Sequence, residues 1–433
     1  MSWNKYPRGP RSSSVFRNMM TLLAGGTIAK AIGFAAMPVI TRIYAPEDLG
    51  TLGTFTALVA LIAPLATLRY ATVLPIPRKD STAANLLVLN LALLLVSTIV
   101  LTIVALLIGT QLMAKMSLGS LAPYLALVVA GVFCTALYEI LTSWGTRKRA
   151  FRMLAISQAS QSLLANIIKI GLGLCGAKSS ALLMGQIVQQ GGGGLALVRM
   201  CSRQVTAHRR RITVRRVATM GRLFLDAPKF RLPSQLLLMG AMQGPILLSA
   251  QLFGLEATGQ LGLALSTLAV PLNLLGTTTG NAYFAEISAL GRNNAARILE
   301  ITRSVTRRLF LFSCAPTLIL VIAGPWLFSI VFGAHWEPAG QLARILAVYL
   351  TFQFISSPLG NALTLFRRQD LLLKMNLARF IITVSIFITA GMLNWALDST
   401  MLAYSGFLTA HYVSSNRIIL GVIRRHATAS SVS

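Results

Sequence analysis

The sequence predicts an all-α integral membrane protein: about 12 transmembrane helices in two six-helix halves around a central cavity. Three observations carry that prediction. Apolar runs long enough to cross a bilayer recur along the chain, and the charged residues fall between them. A short stretch after the first run returns, at its key positions, after the seventh.

A spanning helix needs roughly 20 mostly apolar residues to cross a hydrocarbon core of about 30 Å. Twelve runs meet that length: 19–41, 52–74, 85–109, 122–144, 154–175, 180–200, 232–253, 259–281, 308–331, 341–364, 375–395 and 400–422. Composition agrees. Of 433 residues, 55% are hydrophobic and only 12% charged, against about 25% charged in soluble domains. The opening MSWNKYPRGPRSSSVFRN is basic and leads straight into the first run. No small-residue cleavage site follows a short apolar core, so this run reads as a retained first span.

The loops set the orientation. Lys and Arg total 39 against 11 Asp and Glu, a net charge of +28. With both termini in the cytoplasm, 31 of the 39 bases fall on the inner side, 4 in or beside outer loops and 4 within spans. Short basic loops stay cytoplasmic during insertion, so the expected placement is multi-pass in a membrane with both termini cytoplasmic. The densest cluster is Arg209, Arg210, Arg211, Arg215 and Arg216, and a second is Arg147, Lys148, Arg149 and Arg152. On a soluble protein this charge would suggest nucleic acid. Here the bases sit at helix ends rather than on one folded face, which points to topology and to contact with anionic membrane lipids.

The chain divides into an N-terminal half (1–200), a basic cytoplasmic linker (201–231) and a C-terminal half (232–433). Tyr44-Ala-Pro-Glu47-Asp-Leu-Gly50-Thr-Leu-Gly53 follows the first run, and Phe253-Gly-Leu-Glu256-Ala-Thr-Gly259-Gln-Leu-Gly262 follows the seventh. Glu, Gly and Gly recur at one spacing, offset by 209 residues, and a proline sits in each following helix (Pro64, Pro271). Internal repeats of this kind build many transporters. Six spans per half is an even number, so the halves insert the same way round.

A charge within a span costs about 2.5–3.5 kcal/mol to insert, so such residues face a cavity or a partner. Lys30 lies mid-span in the first run, Arg69 in the second, Lys169 in the fifth and Arg379 in the eleventh. Together they suggest a basic, water-filled cavity for an anionic headgroup, although Arg69 and Arg379 lie close enough to the inner surface to snorkel. Glu139 is the acid well inside a span. It reads either as a coupling site for a proton or cation or as a partner of one of these bases. Arg42 closes the first run just before Glu47 and Asp48. It reads as a ligand contact at the outer mouth or as a salt bridge fixing the loop.

Other features carry less. Pro38, Pro64, Pro245, Pro271, Pro316 and Pro358 predict kinks, since proline removes a backbone hydrogen bond. The run from Gly191 to Gly194 allows close helix contact or local unwinding. Gly171-Leu-Gly-Leu-Cys-Gly176 matches a dinucleotide fingerprint but lacks the strand–turn–helix setting. With four scattered His and four unpaired Cys, no metal cluster, disulfide framework or cofactor is expected. No outer loop is long enough for a catalytic domain.

The stretch from Thr27 to Leu74 resembles the start of the bacterial polysaccharide repeat-unit flippases. It carries Pro38-Val-Ile-Thr-Arg42-Ile-Tyr44-Ala-Pro46-Glu47-Asp48-Leu-Gly50 and then Leu68-Arg69-Tyr70. Phe332-Gly-Ala-His335-Trp336-Glu337-Pro-Ala-Gly340 is similar to that family's loop after the ninth helix. The resemblance implies the multidrug/oligosaccharidyl-lipid/polysaccharide exporter superfamily. It implies alternating access, export of an undecaprenyl-pyrophosphate-linked oligosaccharide for O-antigen, capsule or exopolysaccharide, and antiport with protons or sodium. Lys30 and Arg69 are then the local candidates for the pyrophosphate. Polysaccharide polymerase and glycosyltransferases are the expected protein partners. A drug/cation antiporter of the same superfamily would favour acids in the cavity. An assembly enzyme would need an outer catalytic loop, and a scaffold would tolerate neutral residues at 30 and 69.

Overall fold

The computed structural model describes residues 12–192, 194–207 and 212–430. The bases Lys5, Arg8 and Arg11, His208 and the cluster Arg209, Arg210 and Arg211 lie outside the described residues. Within them the chain forms α-helices and no strand: α1 (Ser12–Ile43), α2 (Pro46–Ala66), α3 (Asp80–Lys115), α4 (Leu125–Arg147), α5 (Phe151–Leu174), α6 (Lys178–Gly191), α7 (Leu195–Ala207), α8 (Val214–Leu223), α9 (Leu232–Leu252), α10 (Gly254–Leu290), α11 (Ala295–Phe332), α12 (Glu337–Leu365), α13 (Gln369–Met392) and α14 (Leu397–Ser430).

Every predicted run falls on helix, with two interruptions. The run 52–74 is not helical throughout. α2 stops at Ala66, and Leu68 (φ 47°) and Arg69 (φ 61°) turn left-handed before a short 3-10 turn, Tyr70–Val73. Arg69 therefore sits at a break after the helix rather than inside it. The Thr72 hydroxyl donates to the Arg69 carbonyl at 2.8 Å, which ties the turn down. The run 180–200 is split between α6 and α7 at the glycines. There a methyl on Gly191 would press on Cys134 of α4 at 2.9 Å, so the segment shows close contact as well as a break.

Seven helices among the described residues are long and apolar enough to cross a membrane, or eight if α10, bent by 40° between Val270 and Leu275, counts as one span. The polarity of the helices gives the physical reading. α5 buries Ser157, Gln161, Ser162, Asn166 and Lys169 and exposes Ile156, Leu163, Leu164, Ile167 and Leu174. α3 leaves Leu106 80% and Leu107 73% exposed. Apolar outside and polar inside is stable only where the surroundings are hydrocarbon.

The described residues form two compact units, those within 1–36, 62–109 and 124–232 in the first, and those within 37–61, 110–123 and 233–433 in the second. Within each, alternate loops meet. In the first unit, Asp80 before α3 pairs with Arg147 and Lys148 after α4, each at 2.8 Å. The Tyr70 hydroxyl donates to the Gly221 carbonyl of the linker helix α8 at 2.8 Å. In the second unit, the Arg292 Nε donates to the Leu365 carbonyl at 2.7 Å, joining the loops before α11 and after α12. At the other loops of that unit, Trp336 Nε1 donates to the Thr41 carbonyl at 2.9 Å, and Gln260 donates to the His335 carbonyl at 2.9 Å. Gln260 also accepts the Ala339 N–H at 3.1 Å. Alternate loops lying together is the pattern that successive spans require.

The two repeated stretches meet in the second unit. A methyl on Gly50 of α2 would overlap the Leu255 carbonyl, and one on Gly259 of α10 would overlap the Pro46 carbonyl. Each glycine faces the carbonyl four residues before the other, so the contact is reciprocal under the 209-residue offset of the repeat. Only residues without a Cβ permit this backbone approach. Gly50→Ala and Gly259→Ala should each lower thermal stability of the detergent-purified protein by about 1–3 kcal/mol. Gly171→Ala, where a methyl meets nothing within 4 Å, should leave it unchanged or slightly higher. Equal melting temperatures for all three would refute the crossing.

Candidate functional site

The first unit carries an ion pair at the break after α2. Arg69 donates from Nη1 to Glu139 Oε1 of α4 at 2.5 Å, with the two side chains 19% and 26% exposed. Two residues 70 apart, both singled out from the sequence, are thus one unit. The left-handed turn at Arg69 aims the guanidinium at α4 instead of continuing α2. Of the two readings of Glu139, partner and coupling site, the structure shows the pair. The salt bridge is partly shielded from its surroundings.

Lys169 is in a different setting. It is 5% exposed, and its Nζ donates to Gln186 Oε1 at 2.9 Å and Gln189 Oε1 at 2.8 Å of α6. Gly185 lies against its stem, where any side chain would overlap Lys169 Cγ. The cation is solvated by two amide oxygens one helical turn apart. The signal was in the sequence: two glutamines three residues apart within the apolar run 180–200. Nearby, Thr135 donates to Gln190 at 3.0 Å, and the hydroxyls of Tyr138 and Ser157 lie 3.5 Å apart. A polar seam thus runs between α4, α5 and α6.

Lys30 is exposed on α1. α1 meets α5 through small residues: a methyl on Gly25 would overlap Ala155, and the Ala29 carbonyl accepts from Ser162 at 2.7 Å. Residues 29 and 33 share that face, so Lys30 stands on its flank. The three cations of the first unit have different immediate surroundings. Arg69 sits on Glu139, Lys169 on glutamines and Lys30 in the open.

Two candidates belong to the second unit. Arg42 is exposed in the last turn of α1. The Asp48 side-chain carboxylate accepts the Ala45 N–H at 3.3 Å across the turn that follows α1. Arg379 of α13 is held by aromatics. Its guanidinium lies 5.9 Å from the Tyr412 ring centroid. The rings of Tyr349 and Tyr404 meet edge-on at 5.5 Å. Sequence reasoning did not find this aromatic cluster, because its tyrosines lie on two helices, Tyr349 on α12 and Tyr404 and Tyr412 on α14, neither of which carries Arg379.

The polysaccharide biosynthesis protein family matches residues 39–341. No curated protein matches the chain. Among solved structures, the chain is similar to an inward-facing multidrug resistance MATE family transporter of the MOP superfamily, at 17% identity, with 96% of each chain covered and a TM-score of 0.67. An outward-facing MATE family transporter is similar at 16% identity, 98% and 97% coverage and a TM-score of 0.55. A MOP superfamily transporter from Pyrococcus furiosus, described as having a binding pocket of reverse polarity, is similar at 15% identity, 96% and 97% coverage and 0.53. These likenesses establish the fold.

Removing one partner of a shielded ion pair strands the other. Arg69→Ala or Glu139→Gln alone should lower stability by about 1–3 kcal/mol. The double variant should lose clearly less than the sum. Additive losses in a thermal double-mutant cycle would show that the two side chains act separately.

Proposed function

The chain belongs to the polysaccharide biosynthesis protein family and has the fold of MOP-superfamily transporters, and we propose that it flips undecaprenyl-pyrophosphate-linked oligosaccharide repeat units across the bacterial inner membrane by alternating access. The observation that carries this reading is the coincidence of that family with that fold: a transporter fold, in a family that makes polysaccharide, has a lipid-linked glycan as its natural cargo. The charge balance supports it. A pyrophosphate cannot cross about 30 Å of hydrocarbon unaided, and guanidinium and ammonium groups bind it strongly where water is scarce.

In this mechanism Lys30 offers an exposed cation for first contact and Arg69 a partly shielded one. The pyrophosphate competes with Glu139 for Arg69. Once displaced, the Glu139 carboxylate is left to take a coupling proton or sodium ion, so cargo binding and ion binding are linked through one arginine. Lys169, Arg42 and Arg379 are further contacts along the path. Polar side chains of the seam receive the sugars, and both termini face the cytoplasm with the basic loops. The glycan is an O-antigen, capsule or exopolysaccharide unit, and polymerase and glycosyltransferases act beside the flippase. Drug/cation antiport fits less well, because Glu139, the acid well inside a span, already carries a cation at 2.5 Å.

A deletion strain complemented at matched membrane levels tests this. Deletion should abolish surface polysaccharide and leave lipid-linked units accumulating on the inner face. Wild type should restore export, while Lys30→Ala and Arg69→Ala should fall to about a tenth or less, as loss of a charge-assisted contact predicts. Normal export in the deletion strain would sink the flippase reading. Full rescue by both variants would leave the function standing and remove these residues from the site.

A further inference from the structure

The second unit holds a groove that the transport reading leaves unused. Arg303, Arg307 and Phe310 of α11, Phe352 of α12, and Asn416 and Arg417 of α14 are among the residues lining a cavity of about 370 Å³. That volume lies within the range of ligand sites, about 300–1,000 Å³.

Its chemistry is two-sided. Arg303 and Arg307 stand one helical turn apart, a like-charge pair that disfavours its own helix, and Arg417 adds a third guanidinium from the facing helix. No acid is among the lining residues. Glu300, one turn before Arg303, pairs with Arg297 at 2.6 Å. The remaining walls are largely apolar, with Phe310, Phe352, Ile355 and Leu420. Asn416 contributes a buried amide oxygen that has no hydrogen-bond partner.

The groove also has a definite depth. Arg303 and Arg307 come just before the apolar run 308–331, and Arg417 falls at the end of the run 400–422. Both positions put the guanidiniums at headgroup level and the aromatic walls at the start of the hydrocarbon. A soluble anion would leave the apolar walls unfilled. A zwitterionic lipid would bring an ammonium up to three arginines. An anionic lipid satisfies both halves, and a hydroxyl on its headgroup can donate to Asn416.

We propose that this groove holds one anionic glycerophospholipid of the phosphatidylglycerol type, its phosphate between Arg303, Arg307 and Arg417 and an acyl chain along Phe310 and Phe352. This resident lipid is separate from the cargo, and the inference does not rest on the flippase reading.

Native mass spectrometry of the detergent-purified full-length protein tests it, with phosphatidylglycerol and phosphatidylcholine of identical acyl chains as probes. Phosphatidylglycerol should bind at least about tenfold more tightly. The variant R303Q/R307Q/R417Q should lose that preference. Arg308→Gln, on the same helix but outside the groove, should keep it. Should the triple variant fail to elute as a folded monodisperse protein, Arg417→Gln alone should cut the preference about fivefold. Equal binding of both lipids, an unchanged preference in the groove variants, or an equal loss in Arg308→Gln would overturn the proposal. So would displacement of the lipid by inorganic pyrophosphate, which would mark a free-anion site, or by undecaprenyl pyrophosphate, which would mark a cargo site.

Discussion

A charge cannot rest unpartnered in hydrocarbon, and that constraint orders this protein from its loops to its interior. It accounts for the bases between spans and for the reversed polarity of α5. It also shapes the treatment of the buried cations. Arg69 is neutralised by a carboxylate at 2.5 Å. Lys169 is solvated by two amide oxygens. Arg379 lies against the ring face of Tyr412. These three solutions differ in what a ligand would have to displace. Amides and a ring face yield a cation without leaving a bare anion behind, whereas taking Arg69 releases Glu139. Of the three, only Arg69 is paired with a carboxylate.

The second constraint is steric. The Gly50–Gly259 crossing brings α2 and α10 to backbone contact, and the neighbouring Gln260 joins that crossing to the loop before α12 through His335 and Ala339. Trp336 and His335 then reach the Thr41 carbonyl at 2.9 and 3.1 Å. Three short segments that stood out in the sequence, around Arg42, Gly259 and Trp336, are therefore one knot. Gly50, Gly259, Gln260, His335 and Trp336 serve packing and backbone satisfaction there. Motif-like conspicuousness in a membrane loop is thus as well explained by the need to pair backbone carbonyls away from water as by ligand chemistry.

The groove of the second unit shows the same economy of charge at the membrane surface. Arg303, Arg307 and Arg417 count, by position, as ordinary inner-side bases. What separates them from Arg308 is that α11 and α14 turn all three onto one apolar-walled cavity. Loop charge that orients a chain during insertion is then available to hold lipid once the chain has folded.

Hydropathy and charge alone were enough for the class, the helical runs and the repeat, because lipid imposes its demands locally: roughly 20 apolar residues per crossing and bases at the ends. Lys30, Arg69, Lys169, Arg379 and Glu139 were visible for the same reason, as charges where charge is costly. Tertiary structure decided everything that depends on which helices are neighbours. Residues 69 and 139 became a pair because the chain turns left-handed at Arg69, a backbone event that an unbroken apolar run conceals. Lys169 found its glutamines across the α5–α6 contact, and Arg379 the Tyr412 ring across the α13–α14 contact. The matching glycines of the repeat were legible as a pattern, but that they touch, each against the other's carbonyl, is a matter of three-dimensional approach that no one-dimensional spacing contains.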